Sequence, residues 1–193
     1  EDAEAKFGEQ KAAHRKGTLV GAIHPLQSFA SVKNAIQNLP GSTFAIETQD
    51  EALRTELEGI ARALDGDCIH LGPGDKVLYH ASAVMACNYL VTLVKLATDL
   101  WQTFGGSPEL ATRALLPLLR GTLSNLENVG LPDCLTGPVA RGDVGTVEKH
   151  MTALAAAAPD ILRTYGELGR QTISIALAKG RLSPEAAAIL SDL

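Results

Sequence analysis

The sequence predicts a short α/β layer of three strands with helices, followed by an all-helical bundle. Ala and Leu dominate its 193 residues while aromatics make up only 4%, a composition that favours helices over strands. Short β-rich runs alternate with helical stretches only ahead of Gly72-Pro73-Gly74. Beyond that break the strand signals vanish, so residues 1–73 and 74–193 read as two domains.

Asp2 to Lys16 carries helix formers, and Gly17 stands where a helix would stop. Thr18 to Ile23 reads as a first strand, ended by His24-Pro25. Val32 to Asn38 makes a short helix and Pro40-Gly41 a turn. Ser42 to Glu47 reads as the second strand, Asp50 to Leu64 as an amphipathic helix opened by an acidic cap, and Asp67 to Leu71 as the third strand.

Asp75 to Phe104 then reads as one long helix of ~45 Å. Nothing from Val77 to Val94 is charged, and apolar residues occur on every side, which is the pattern of a buried helix. Ser107-Pro108-Glu109 opens another helix, which Pro117 should kink or break before helical sequence resumes towards Asn128. Val129 to Gly145 is loop-like. Val147 to Ala157 and Asp160 to Lys179 are helical, and Ser183-Pro184-Glu185 starts a final helix.

Charge and cysteine content narrow the function classes. A net charge of −5 with no basic stripe gives no footprint for nucleic acid. Cys68, Cys87 and Cys134 are odd in number and widely spaced, which points away from disulfides and zinc towards a reduced, cytoplasmic setting. His80, Ser82, Asn88 and Thr92 interrupt the apolar run of the long helix and no aromatic belts flank it, so a membrane span is not expected. The histidines lack metal-ligand spacing, and there is no GxGxxG, nucleophile elbow, HExxH or paired-carboxylate motif.

Three polar groupings stand out. Tyr79, His80 and Asn88 interrupt the apolar helix, where a polar group needs a partner; a lone His in such a place is more often a hydrogen-bonded core residue than a catalyst. His24 sits at the end of the first strand, where α/β sheets gather ligand-facing residues, with Gln27 as a nearby amide; a capping His beside a turn is the equal alternative. In LTGPVARGDVGTVEKH, Arg141 and Thr136 lie near a helix start that Asp143 or Thr146 could cap. Free N–H groups with a guanidinium favour an acidic ligand, and an Arg paired within a tight connection fits equally.

The segments HPLQSFA, FAIET, LYHASAVMACNYLVTL, Leu115-Leu116-Pro117-Leu118 and LTGPVARGDVGTVEKH together resemble one family. It is the Rossmann-like proteins with the C-terminal domain of unknown function 2520, relatives of the 6-phosphogluconate dehydrogenase and ketopantoate reductase superfamily. The likeness runs from about Thr18 to about Tyr165. It implies the C-terminal part of a Rossmann sheet followed by a 6-phosphogluconate dehydrogenase-like helical bundle, an NADP or NAD cofactor, and a homodimer joined through the helical domain.

The Gly-rich half of such a protein is missing from this sequence. His24-Pro25 resembles the His-Pro of prephenate dehydrogenases, where the His meets the substrate hydroxyl. Superfamily dehydrogenases often place a Lys four residues before an Asn; Asn88 matches the Asn, but Val84 stands in the Lys position and His80 could substitute. The resemblance thus implies an NAD(P)-dependent oxidoreductase acting on a small, acidic carbonyl, hydroxy or imine compound. His24, His80 and Asn88 would be catalytic, and Gln27, Tyr79, Thr136 and Arg141 would bind substrate. The alternative is a non-enzymatic helical dimerisation or ligand-binding module that has lost cofactor binding.

Overall fold

A computed structural model describes residues 18–193. The expected helix Asp2 to Lys16 lies outside the described residues. The chain divides into two units, one reaching Leu90 and the other running from Val91 to Leu193.

The first unit holds a mixed sheet of β1 (Gly21–Pro25), β2 (Thr43–Thr48) and β3 (Asp67–His70), in that order. β2 pairs antiparallel with β1 and parallel with β3. Between the strands run α1 (Val32–Asn38) and α2 (Glu51–Ala63). Ser31 caps α1, and Asp50 caps α2 by accepting the Leu53 amide at 2.8 Å, which satisfies one of the N–H groups a helix start leaves open.

Side chains alternate across a strand, so the sheet has two distinct faces. α2 covers one of them: a Cβ placed on Gly21 would stand 3.0 Å from Leu53 Cδ2. Phe44, Ala45 and Ile46 of β2 are buried. The opposite face carries Ala22 and His24 of β1 beside Glu47 and Ala45 of β2, paired across the strands as Ala22 with Glu47 and His24 with Ala45.

The long helical stretch forms as α3 (Asp75–Ala86) and α4 (Asn88–Gln102), with a local distortion at Cys87. Its expected burial is not found. Val77 is 75% exposed, Leu78 78%, and Met85, Tyr89 and Val91 are exposed as well. The physical reason is geometric: only the side of α3 bearing Lys76, Tyr79 and His80 faces the sheet, so apolar residues on its other sides have no layer to enter. By length and composition, Asp75–Gln102 is long and apolar enough to cross a membrane. α3 belongs to the same unit as the sheet, and the division between the units falls within α4, after Leu90.

The second unit continues with α5 (Pro108–Asn128), α6 (Pro138–Arg141), α7 (Val144–Ala157), α8 (Pro159–Ala178) and α9 (Pro184–Asp192). α5 runs on through Pro117 instead of breaking there. Ser107 and Ser183 cap α5 and α9, each followed by Pro at the first helical position. Val147, Ile173, Ala176, Leu182, Ala187 and Leu190 form a buried cluster in which α7, α8 and α9 meet. Lys179 Nζ donates to the carbonyls of Asp133 and Leu135, at 2.6 and 2.7 Å, and ties down the connection ahead of α6.

Candidate functional site

Polar groups gather on the open face of the sheet in the first unit. β1 presents His24, β2 presents Glu47, and α3 presents Lys76, Tyr79 and His80 around an open cleft floored by Ala22, Ala45 and Leu71. The cleft is open to solvent, and its enclosed space is small, about 60 Å³. Helical spacing explains the α3 contribution, since Lys76 lies one turn ahead of Tyr79 and His80.

His24 Nδ1 and the Tyr79 hydroxyl are 3.3 Å apart. Their rings meet edge-on, with centroids 5.8 Å apart and planes at 89°. His80 approaches His24 in the same manner, at 6.4 Å and 84°. Burial pushes the Tyr79 phenol above its usual pKa, so it stays protonated and neutral near neutral pH. Lys76 Nζ stands 3.5 Å from Glu47 Oε2 at the cleft's edge. Both groups are partly exposed, so the pair contributes little to stability but sets two opposite charges beside the imidazoles.

The remaining candidates lie elsewhere. Gln27 braces a loop: its amide donates to Asn38 O at 3.0 Å and to Ser42 Oγ at 3.4 Å, and its Oε1 accepts from Ser28 N. Asn88 opens α4, eight residues beyond His80, and does not line the cleft. Thr136 and Arg141 belong to the second unit. There Asp143, held below the ordinary carboxylate range chiefly by its hydrogen bonds from Thr146, already supplies a negative charge to the start of α7, with Arg141 acting on it electrostatically. An incoming acid would meet that carboxylate.

His24 reaches the cleft by a different route from the one strand order suggests. Crevices form beyond the carboxyl ends of parallel strands, but β1 runs antiparallel to β2, so its last residues lie beside the start of β2. The His24 side chain instead rises from the sheet face. Glu47 and Lys76 escaped the reading of the sequence. The available signals were the alternation of Glu47 with Ala45 and the one-turn spacing of Lys76 from Tyr79 and His80.

The residues matching the model of the "Domain of unknown function (DUF2520)" are 42–172. This chain belongs to that family. Within the DUF2520 match lie Glu47, Lys76, Tyr79 and His80, while His24 precedes it. The chain is similar to the crystal structure of protein TM1727 from Thermotoga maritima, at 27% identity and a TM-score of 0.72, covering 83% of this chain and 63% of that one. It is also similar to the crystal structure of "putative NADP oxidoreductase BF3122" from Bacteroides fragilis, at 23% identity and a TM-score of 0.64, covering 80% of this chain and 57% of that one. The second likeness shows a shared fold alone. This DUF2520 chain therefore spans less than two thirds of either structure's length. No curated protein matches it.

Among the described residues no group of three or more His, Cys, Asp and Glu is placed to hold a metal. A dinucleotide's pyrophosphate does not fit the two strand-to-helix turns of the DUF2520 sheet. Asp50 occupies the start of α2, and Asp75 Oδ2 accepts the Gly72 amide at 2.9 Å at the start of α3. Each turn thus offers a carboxylate where a phosphate needs bare N–H groups.

Proposed function

We propose that this chain forms part of an NAD(P)-dependent oxidoreductase that reduces or oxidises a small carbonyl, hydroxy or imine compound. The observation that carries this reading is the cluster of His24, Tyr79 and His80 on one face of the sheet, two imidazoles and a neutral phenol around an open cleft. The fold shared with a protein named "putative NADP oxidoreductase", and the kinship with the 6-phosphogluconate dehydrogenase-like superfamily that the motifs imply, support it. His24 and His80 handle the proton that a hydroxyl loses or a carbonyl oxygen gains. Tyr79 orients the substrate, and Asn88, Gln27, Thr136 and Arg141 are assigned supporting roles by the resemblance alone. The dinucleotide's phosphates are not assigned to the turns after β2 and β3, whose carboxylates oppose them.

Fluorescence titration of NADPH and NADH against the purified chain, followed by a screen of small ketoacids and imines, tests the reading. Saturable binding is expected, with turnover lowered roughly 10²- to 10⁴-fold and cofactor affinity retained in His24→Ala. No binding at millimolar cofactor overturns it. That outcome favours the second reading, a helical dimerisation or ligand-binding module without a cofactor, to which the two carboxylate-capped turns lend weight. In either case we propose a homodimer that covers the exposed Val77, Leu78 and Met85 of α3. Sedimentation as a monomer at micromolar concentration excludes it.

A further inference from the structure

A neutral imidazole carries one N–H and one bare nitrogen, and its partners decide which is which. His24 turns Nδ1 towards the Tyr79 hydroxyl, and among the described residues no hydrogen bond is made to Nε2. The hydroxyl has two ways to meet that nitrogen. It can accept from Nδ1–H and leave its own hydrogen to solvent, or it can donate to a bare Nδ1. Tyr79 is partly buried, and among the described residues His24 Nδ1 is the side-chain acceptor bonded to its hydroxyl, so donation to that nitrogen satisfies a hydrogen that would otherwise depend on water in the open cleft. A phenol also donates better than it accepts, while a bare imidazole nitrogen is a good acceptor. Loss of solvent keeps the phenol protonated, so the hydrogen is there to be given.

We propose that Tyr79 is a positioning residue that holds His24 in the Nε2–H tautomer, so that the cleft presents a hydrogen-bond donor and favours ligands bringing an acceptor to it, a carbonyl oxygen or imine nitrogen in preference to a hydroxyl or amine. The tautomer follows from the His24–Tyr79 pair alone; the ligand preference rests on the reading of this cleft as the substrate site. Glu47, Lys76 and His80 are the other titratable groups around the cleft. Of these, His80 is the one whose ring meets His24, edge-on. The inference narrows the substrate class to the oxidised member of each carbonyl/hydroxyl or imine/amine pair.

The test is a long-range ¹H–¹⁵N correlation spectrum of the ¹⁵N-histidine-labelled chain at about pH 8.5, where an ordinary imidazole is neutral. His24 is assigned by the signals lost in His24→Gln. The expected spectrum has Nδ1 at the bare-nitrogen position and Nε2 at the protonated one, and in Tyr79→Phe both move towards the values of a free imidazole's mixed tautomers. A protonated Nδ1 in the unmodified chain overturns the proposal without recourse to any variant. So does a Tyr79→Phe spectrum identical to the parent's. Pyruvate and lactate then serve as a matched pair of probes, and pyruvate is expected to perturb His24 at about tenfold lower concentration. Equal potency, reversed order or no effect of either overturns the ligand preference. The spectra need no nicotinamide, so failure of cofactor binding leaves the tautomer result standing and is told apart from it.

Discussion

Asp143 grips Thr146 twice: Oδ1 accepts the Thr146 amide at 3.1 Å and Oδ2 accepts its hydroxyl at 2.8 Å. These bonds, ahead of the influence of Arg141 and Lys149, hold the Asp143 carboxyl below the ordinary range. A carboxyl lowered in the folded state contributes stability that is full above its unfolded value, near pH 4, and is lost as pH falls through the lower folded value. Asp143→Asn keeps an acceptor for the cap but removes this titration. Melting temperatures followed from neutral pH into acid should therefore place the variant below the parent at pH 7, with the gap closing as the pH falls.

Gly66 stands against the Phe44 ring. A Cβ built there would lie 2.3 Å from Phe44 Cε2 and 2.7 Å from the Ser42 carbonyl oxygen. Phe44 is buried and the carbonyl is backbone, so neither can yield easily. Gly66→Ala should cost about 1–3 kcal/mol in urea unfolding. Combined with Phe44→Leu, the penalty should fall short of the sum of the two single changes, since the atoms in conflict are shared.

The Tyr79 phenol should ionise above the usual tyrosine value of 10.0, because burial disfavours the phenolate. A group whose pKa is raised on folding contributes stability that is present below its unfolded value and is lost as pH rises through the folded one. Absorbance titration into alkali should show a late-ionising component that Tyr79→Phe removes. Tyr165, raised by burial in the same way and bonded at 2.8 Å to His150 Nδ1, should leave a second such component in that variant.

Lys179→Met removes the ammonium that holds the carbonyls of Asp133 and Leu135. The connection from residue 130 to residue 137 should loosen while the cluster around Ile173 keeps its protection. Amide exchange in that connection is expected to quicken about 5- to 30-fold, equivalent to about 1–2 kcal/mol of local stability. Unchanged exchange there would show that the two bonds carry no local stability.

Local signals made much of the fold legible. Asp50, Ser107 and Ser183 each cap the helix that their position announces, because a capping side chain acts within its own first turn. Strand direction was not legible. That β1 runs against β2 is decided by where the chain turns back, and no residue within β1 records it. Burial of Asp75–Gln102 was misjudged for a related reason: composition reports how apolar a helix is, while the number of layers packed on it is a tertiary fact. His24, Tyr79 and His80 were each visible as polar residues in apolar surroundings. Their meeting depends on the fourth residue of β1 facing the first turns of α3, a register the sequence does not display.

The cross-strand pairs of the cleft floor form a checkerboard. Ala22 sits opposite Glu47 and Ala45 opposite His24, so each bulky polar side chain has a methyl group as its cross-strand neighbour. The cross-strand neighbours therefore leave His24 to meet Tyr79 and His80, and Glu47 to meet Lys76. Exchanging either alanine for valine would set a branched side chain beside one of these groups and press it towards its partner on α3.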